Sequence, residues 1–278
     1  MRKFKIVADS SCDIFCLEQI EFTTAPMKII TSEKEFIDDE FLNTDEMVNY
    51  LNKYKGKSKS SCPNTNDWLA AFGDADDIFC VTITSGLSGS YNSACLAKKE
   101  FESDNPGKRV FVIDTLSAGP ELFLIIEKLE ECIQNGMDYT DICNCITDYL
   151  NKTALIFMLK SLKNFANNGR ISPLVAKLVG IAGICIVGKA SDKGTLEPLH
   201  KCRGERRAID ALVKELETQG YHSGKISIGH CQNQAAAEQL KALILENFKD
   251  AEIEIHKLRG LCSFYAEKGG LLVGFEKA

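Results

Sequence analysis

The run Ile78-Phe79-Cys80-Val81-Thr82-Ile83 limits the possible folds more than any other stretch of this chain. It is apolar or β-branched throughout and shows no polar alternation, so the strand it predicts must be covered on both faces. It leads straight into Thr84-Ser85-Gly86-Leu87-Ser88-Gly89-Ser90, and a helix is predicted from about Tyr91. A doubly buried strand feeding a helix belongs to a parallel sheet with helices on both sides.

The same rhythm governs the first 150 or so residues. Phe4-Lys5-Ile6-Val7-Ala8 and Val110-Phe111-Val112-Ile113 read as further buried strands. Residues 26–30 face Glu35-Phe36-Ile37 across a polar turn, as in a hairpin. Thr44, followed by Asp45 and Glu46, reads as the N-cap of a helix reaching about Tyr54. Residues 55–63, rich in serine and ending in Pro63, read as a loop. A short helix carries Trp68, Leu69 and Phe72, and two more are predicted over 122–134 and 140–151. Beyond residue 152 the order changes. A strand at 154–158 precedes a helical stretch at 159–166, and strands at 184–187 and 196–201 flank Asp192-Lys193-Gly194. Helical stripes at Ala208, Ile209, Leu212 and Leu216 and at Ala236, Leu240 and Ile244 follow, among strands at 226–229, 253–256 and 271–275. The fold predicted is α/β: an N-terminal parallel-sheet three-layer domain, 1–152, and a C-terminal mixed-sheet α/β domain, 153–278.

Composition removes several functions. The 278 residues carry a formal net charge of -6, the wrong sign for general nucleic-acid binding through phosphate neutralisation. The apolar run near the N-terminus is too short for a signal peptide and no stretch has the length of a membrane span, so a cytoplasmic location is expected. The 12 cysteines include no C-x-x-C pair, and Cys80, Cys95, Cys132 and Cys185 sit in apolar runs. Free thiols packed as small hydrophobes are expected, with no metal site.

In a parallel α/β sheet, ligands bind where strands end and helices begin. That rule selects Asp9-Ser10-Ser11, Ser60-Ser61, residues 84–90 and Asp114-Thr115. In 84–90, Gly86 and Gly89 permit close backbone approach while Ser85, Ser88 and Ser90 supply hydroxyls beside a helix N-terminus, which suits an anionic or polar head group. The same serines also suit a purely structural cap. No nucleophile elbow or P-loop is present, because the glycine and lysine positions those motifs need are not filled. His230 ends a predicted strand and is read as structural.

These hydroxyl turns, taken in order, resemble the DegV family. Asp9-Ser10-Ser11-Cys12-Asp13 is similar to the family's opening, and Ser60-Ser61-Cys62-Pro63 to its Thr-Ser-x-Pro loop. Residues 84–94 resemble its Ser-Ser-x-Leu-Ser-Gly-Thr-Tyr segment, and Asp114-Thr115, Asn168-Gly169-Arg170 and Arg203-Gly204 complete the series. The resemblance implies a protein that binds a long-chain fatty acid between its two domains and presents the carboxylate to a separate ATP-dependent fatty acid kinase. It implies no catalysis by the chain itself and no cofactor.

Carried over motif by motif, the carboxylate would lie at Ser60 and Ser88, with Ser61, Gly89 and Tyr265 beside it. Asp9, Ser10, Ser85 and Thr115 would form a secondary head-group turn. Arg170 and Arg203 would contact the kinase or, transiently, a membrane surface. Three positions depart from the family pattern. Tyr265 stands where a histidine is usual, Ala118-Gly119-Pro120 replaces a Ser-Gly pair, and Ser60 replaces threonine. Tyrosine keeps a hydrogen-bond donor but removes a group that gains charge near neutral pH, so a partly solvated or protonated carboxyl and weakened phosphoryl transfer are expected. Two other readings stand beside this one: a serine-dependent esterase using Ser88, and a small-ketone or sugar binder.

Overall fold

A computed structural model describes residues 2–172, 175 and 183–277. Strands β1 (Phe4–Asp9), β2 (Phe22–Ala25), β6 (Asp77–Thr82) and β7 (Arg109–Asp114) form a parallel sheet in the order β2-β1-β6-β7. Alternate side chains of these strands point to opposite faces. Val7, Ile78 and Cys80 pack under α2 (Thr65–Phe72) and α3 (Ser90–Asp104). Ile6, Phe79 and Val81 pack under α4 (Pro120–Gln134) and α5 (Tyr139–Leu150). The result is three layers, and every β6 residue is buried.

The second sheet has six strands in the order β10-β9-β8-β13-β11-β12. They are β8 (Thr153–Leu159), β9 (Ile184–Ala190), β10 (Leu196–Arg203), β11 (Gly224–His230), β12 (Ala251–Lys257) and β13 (Leu271–Glu276). Only β11 and β12 pair in parallel, so the sheet is mixed. One face, with Ile156, Met158 and Val187, packs on α7 (Glu205–Thr218) and α8 (Gln234–Asn247). The other, with Leu155, Phe157, Leu159 and Leu272, is covered by elements from both halves of the chain. These are the small antiparallel sheet β4-β3-β5 (Glu35–Ile37, Lys28–Ile30, Lys59–Ser61), α1 (Thr44–Lys53) and α9 (Gly260–Ala266).

Several local expectations need correction. Residues 59–61 are not loop but strand β5, with Ser60 opposite Ile29; main-chain pairing decides a three-residue strand, so its polar side chains gave no pattern to read. Asn43, not Thr44, caps α1, its side chain accepting from the Glu46 N–H at 3.2 Å. The helical stretch predicted over 159–166 shrinks to α6 (Lys163–Asn167), because Leu159 still pairs with Ile186 in the sheet. Strand β2 and helix α9 were not foreseen.

The start of α4 presses directly on β13. A Cβ placed on Gly274 would lie 2.5 Å from the Glu121 nitrogen and 2.6 Å from the Pro120 carbonyl carbon, both rigid backbone atoms. Gly274→Ala should therefore destabilise the fold by about 1–3 kcal/mol as an overpacking change, although alanine normally stabilises a strand relative to glycine. Denaturant unfolding measures this; an unchanged midpoint would mean that α4 does not bear on the strand.

Candidate functional site

The C-terminal ends of β1, β6 and β7 lie along one edge, and the connections diverge between β1 and β6, the position where open α/β sheets bind ligands. Asp9 closes that crevice from below. Its Oδ2 accepts from the Ile83 N–H at 2.9 Å and the Ser90 hydroxyl at 2.6 Å, and its Oδ1 accepts from the Ser11 hydroxyl at 2.5 Å. Burial pushes this carboxyl above its usual range while these donors pull it back.

Above the crevice lies a cavity of about 940 Å³, open mouth included. Its floor on one side is the second sheet, through Leu155, Phe157, Leu159 and Leu272, and on the other the turns after β6 and β7, through Ile83, Leu87 and Leu116. Met27, Leu196 and Leu261 complete an apolar wall. Polar side chains are few: Ser60, Thr84, Ser88, Ser117, Thr195, Tyr265 and, at the mouth, Arg170.

Ser60 and Tyr265, 205 positions apart, meet with their hydroxyls 2.7 Å from one another. Strand β5 delivers Ser60 and helix α9 delivers Tyr265, whose ring packs against Phe165 and Phe264 with centroids 4.7 and 4.8 Å away. Burial pushes the Tyr265 phenol up, while Ser60 and the Arg170 guanidinium act in the opposite direction. Asn168 ties the two sides together. Its Oδ1 accepts from the Ser60 N–H at 3.2 Å, and its Nδ2 donates to the Ser58 carbonyl at 3.2 Å and the Asn164 carbonyl at 2.8 Å. Gly169 follows at φ 66, so the chain turns there and brings Arg170 to the cavity mouth.

Of the residues selected from sequence, Ser60, Ser88, Gly89 and Tyr265 all line this cavity. Ser61 does not line it and is exposed, as strand alternation requires of a neighbour of Ser60. Asp9, Ser10, Ser85 and Thr115 do not line it either. Asp9 serves the crevice, Ser10 donates to Asp38 at 2.9 Å, Thr115 donates to the Thr82 carbonyl at 2.9 Å, and Ser85 is exposed. Arg203 is exposed at the end of β10 and lies outside the lining, whereas Arg170 is part of it. Asn168 and Asp13 belong to turns that carry the family resemblance, but nothing in the sequence marks their contacts, and Asp38 carries no readable signal at all.

Asp13 and Asp38 bind the start of α9, the helix that carries Tyr265. The Arg259 N–H donates to Asp13 Oδ1 at 2.7 Å, and the Gly260 and Leu261 N–H groups donate to the two Asp38 oxygens at 2.8 Å each. Carboxylates suit a helix N-terminus, where backbone donors are unpaired. Asp13 Oδ2 nevertheless has no hydrogen-bond partner among the described residues, and burial pushes Asp13 up to about 8 and Asp38 to about 6. Ser88 Oγ accepts from the Ser90 N–H at 3.2 Å, and among the described residues no histidine lines the cavity to act as its base. His230 instead accepts from the Asn233 N–H at 3.3 Å. The described residues hold no group of metal-ligating side chains, and no helix among them is long and apolar enough to cross a membrane.

Comparison with known proteins agrees along the whole chain. The family described as "uncharacterised protein, DegV family" matches residues 3–278. A DegV domain-containing protein of Streptococcus pneumoniae is 43% identical over 277 residues, covering 98% of this chain and 99% of that relative. Among solved structures, the S. pneumoniae fatty acid kinase B3 protein loaded with linoleic acid superposes with a TM-score of 0.97 at 42% identity, covering 99% of this chain and all of that one. A DegV family protein of Eubacterium eligens loaded with heptadecanoic acid gives 0.96 at 41% identity, again covering 99% of this chain and all of that one.

The raised carboxyls make stability depend on pH. Both folded-state values exceed the ordinary 3.8, so the folded chain holds more protons than the unfolded one above that pH. Their stabilising contribution is full below pH 3.8 and is lost as pH rises through about 6 and then about 8. Asp13→Asn should flatten the upper part of this profile. Thermal unfolding midpoints recorded at about pH 6 and about pH 8 should differ less for the variant than for the wild type; parallel profiles would show Asp13 ionised throughout.

Proposed function

The chain belongs to the DegV family, and from that premise we propose that it carries one long-chain fatty acid, its carboxyl held at Ser60, Ser88 and Tyr265. The observation that carries this reading is the chemistry of the cavity: a largely apolar lining in which the Ser60 and Tyr265 hydroxyls meet beside the Arg170 guanidinium. Relatives loaded with linoleic and heptadecanoic acid, at 42% and 41% identity, support it. About 15 methylenes at ~0.8 kcal/mol each contribute on the order of 12 kcal/mol before the loss of chain and translational freedom is subtracted. The tail therefore supplies most of the affinity, and the head group needs only satisfied hydrogen bonds and a counter-charge.

Arg170 supplies that charge in this chain, where Tyr265 occupies the position of the family histidine. Being at the mouth, it can also face an acidic partner, a separate ATP-dependent fatty acid kinase that takes the presented carboxylate. Arg203 extends the same basic character toward that partner or a membrane surface during transfer. The chain is then a cytoplasmic carrier needing no cofactor, and its division into units 1–152 and 153–278 follows the two large sheets, which share no strand pair among the described residues. The net charge of -6 argues against nucleic acid as a partner.

Native mass spectrometry of the purified protein, followed by organic extraction, should release one acyl chain per protein; a mass equal to the bare chain under conditions that retain lipid would reject the carrier reading. Ser60→Ala should weaken fatty-acid binding about tenfold, or ~1.4 kcal/mol, because the Tyr265 hydroxyl and the carboxyl each lose a partner. Ala190→Phe, on the apolar wall, should exclude long chains while leaving short ones bound. Fluorescent fatty-acid displacement measures both.

A further inference from the structure

The helical hairpin of α4 and α5 holds a pair of thiols that the cavity does not use. Cys132 on α4 and Cys145 on α5 lie with their sulfurs 3.5 Å apart, 13 positions apart in sequence. Cys132 is buried and Cys145 is partly exposed, so one thiol meets solvent while the other waits behind it. The Lys128 ammonium, held by Glu131 at 2.9 Å, lies one helical turn before Cys132. Cys143 is no competitor. Two residues along a helix turn its side chain about 200° away, and it packs toward Tyr139 and Arg109.

We propose that Cys132 and Cys145 form a reversible two-cysteine modification site that hydrogen peroxide converts to an intramolecular disulfide joining α4 to α5. The Cys145 thiolate attacks a peroxide oxygen, breaking the O–O bond and leaving a sulfenic acid as the other oxygen departs as water after protonation. The Cys132 sulfur then attacks the Cys145 sulfur, forming the S–S bond; the sulfenic oxygen leaves as a second water, taking the Cys132 proton. Two thiols and one peroxide give one disulfide and two waters. Resolution by a neighbour already within van der Waals distance stops Cys145 from advancing to sulfinic acid, the irreversible rung of thiol oxidation. A general reductant thiol reopens the bond by exchange.

The test uses the full-length reduced protein treated with a slight excess of hydrogen peroxide, after which remaining thiols are alkylated. Cys132, Cys143 and Cys145 share the tryptic peptide 129–152. That peptide should be lighter by two hydrogens with only Cys143 alkylated, and after cleavage before Asp138 and Asp141 the fragments holding Cys132 and Cys145 should stay joined until reduction. The midpoint of thermal unfolding should rise by several degrees on oxidation and return on reduction, because closing the loop restricts the unfolded chain. Cys143→Ser should form the same link. Cys132→Ala should instead leave Cys145 as a sulfenic acid captured by a dimedone probe. The proposal is overturned if wild-type Cys145 proceeds to sulfinic acid with Cys132 alkylatable, if neither thiol reacts, or if Cys143→Ser abolishes the link.

Discussion

Everything at the cavity mouth rests on one joint: two buried carboxylates of the first half gripping the first N–H groups of a helix in the second. Asp38 takes the N–H groups of Gly260 and Leu261, Asp13 that of Arg259, and Ser10 steadies Asp38 with its hydroxyl. The approach is so close that a Cβ on Gly260 would stand 2.4 Å from Asp38 Oδ1, so only glycine fits the first position of that helix. Without the joint, Leu261, Cys262 and Tyr265 would have no fixed place relative to Ser60 and Ser88. Its cost is the desolvation of two acids, which the structure offsets with backbone donors rather than with ion pairs alone.

A second carboxylate arrangement explains why so many of the hydroxyls near the strand ends are not available to a ligand. Asp9 sits at the divergence of β1 and β6 and consumes the Ser11 and Ser90 hydroxyls together with the Ile83 N–H. Thr82 and Thr115 bond to the backbone of β7 and β6 in turn. The crevice that this topology usually leaves for a ligand is thereby sealed with internal hydrogen bonds. The open space moves outward, to the surface shared with the second sheet, where Ser88 and Ser60 line it.

Legibility from sequence followed the strength of the local signal. Buried, largely apolar strands such as β6 and the striped helices α7 and α8 could be placed because burial dictates their pattern. Strand β5 could not, since Lys59-Ser60-Ser61 has no apolar pattern and pairs through its main chain alone. Helix α9 hides for another reason: it opens with glycine and its capping acids lie more than 200 positions upstream, beyond the reach of any local capping rule. The contact between Ser60 and Tyr265 belongs to the same class, visible only once the small sheet and α9 cover one face of the second sheet. Arg170 was legible as a functional turn, but its place at the cavity mouth depends on the Asn168 side chain spanning two elements.

That placement also decides how a carboxylate can be accommodated without a histidine. A cation deep in an apolar cavity carries the cost of burying a charge, and a tyrosine there avoids it because burial keeps its phenol protonated. Placing the positive charge on an exposed arginine leaves it hydrated, and in the proposed carrier it would shield a bound head group. In the proposed carrier, the hydroxyl pair at Ser60 and Tyr265 would orient the carboxyl, and the Arg170 guanidinium would supply its counter-charge. Orientation and neutralisation would then be divided between the hydroxyl pair and a guanidinium close enough to Tyr265 to act on its phenol.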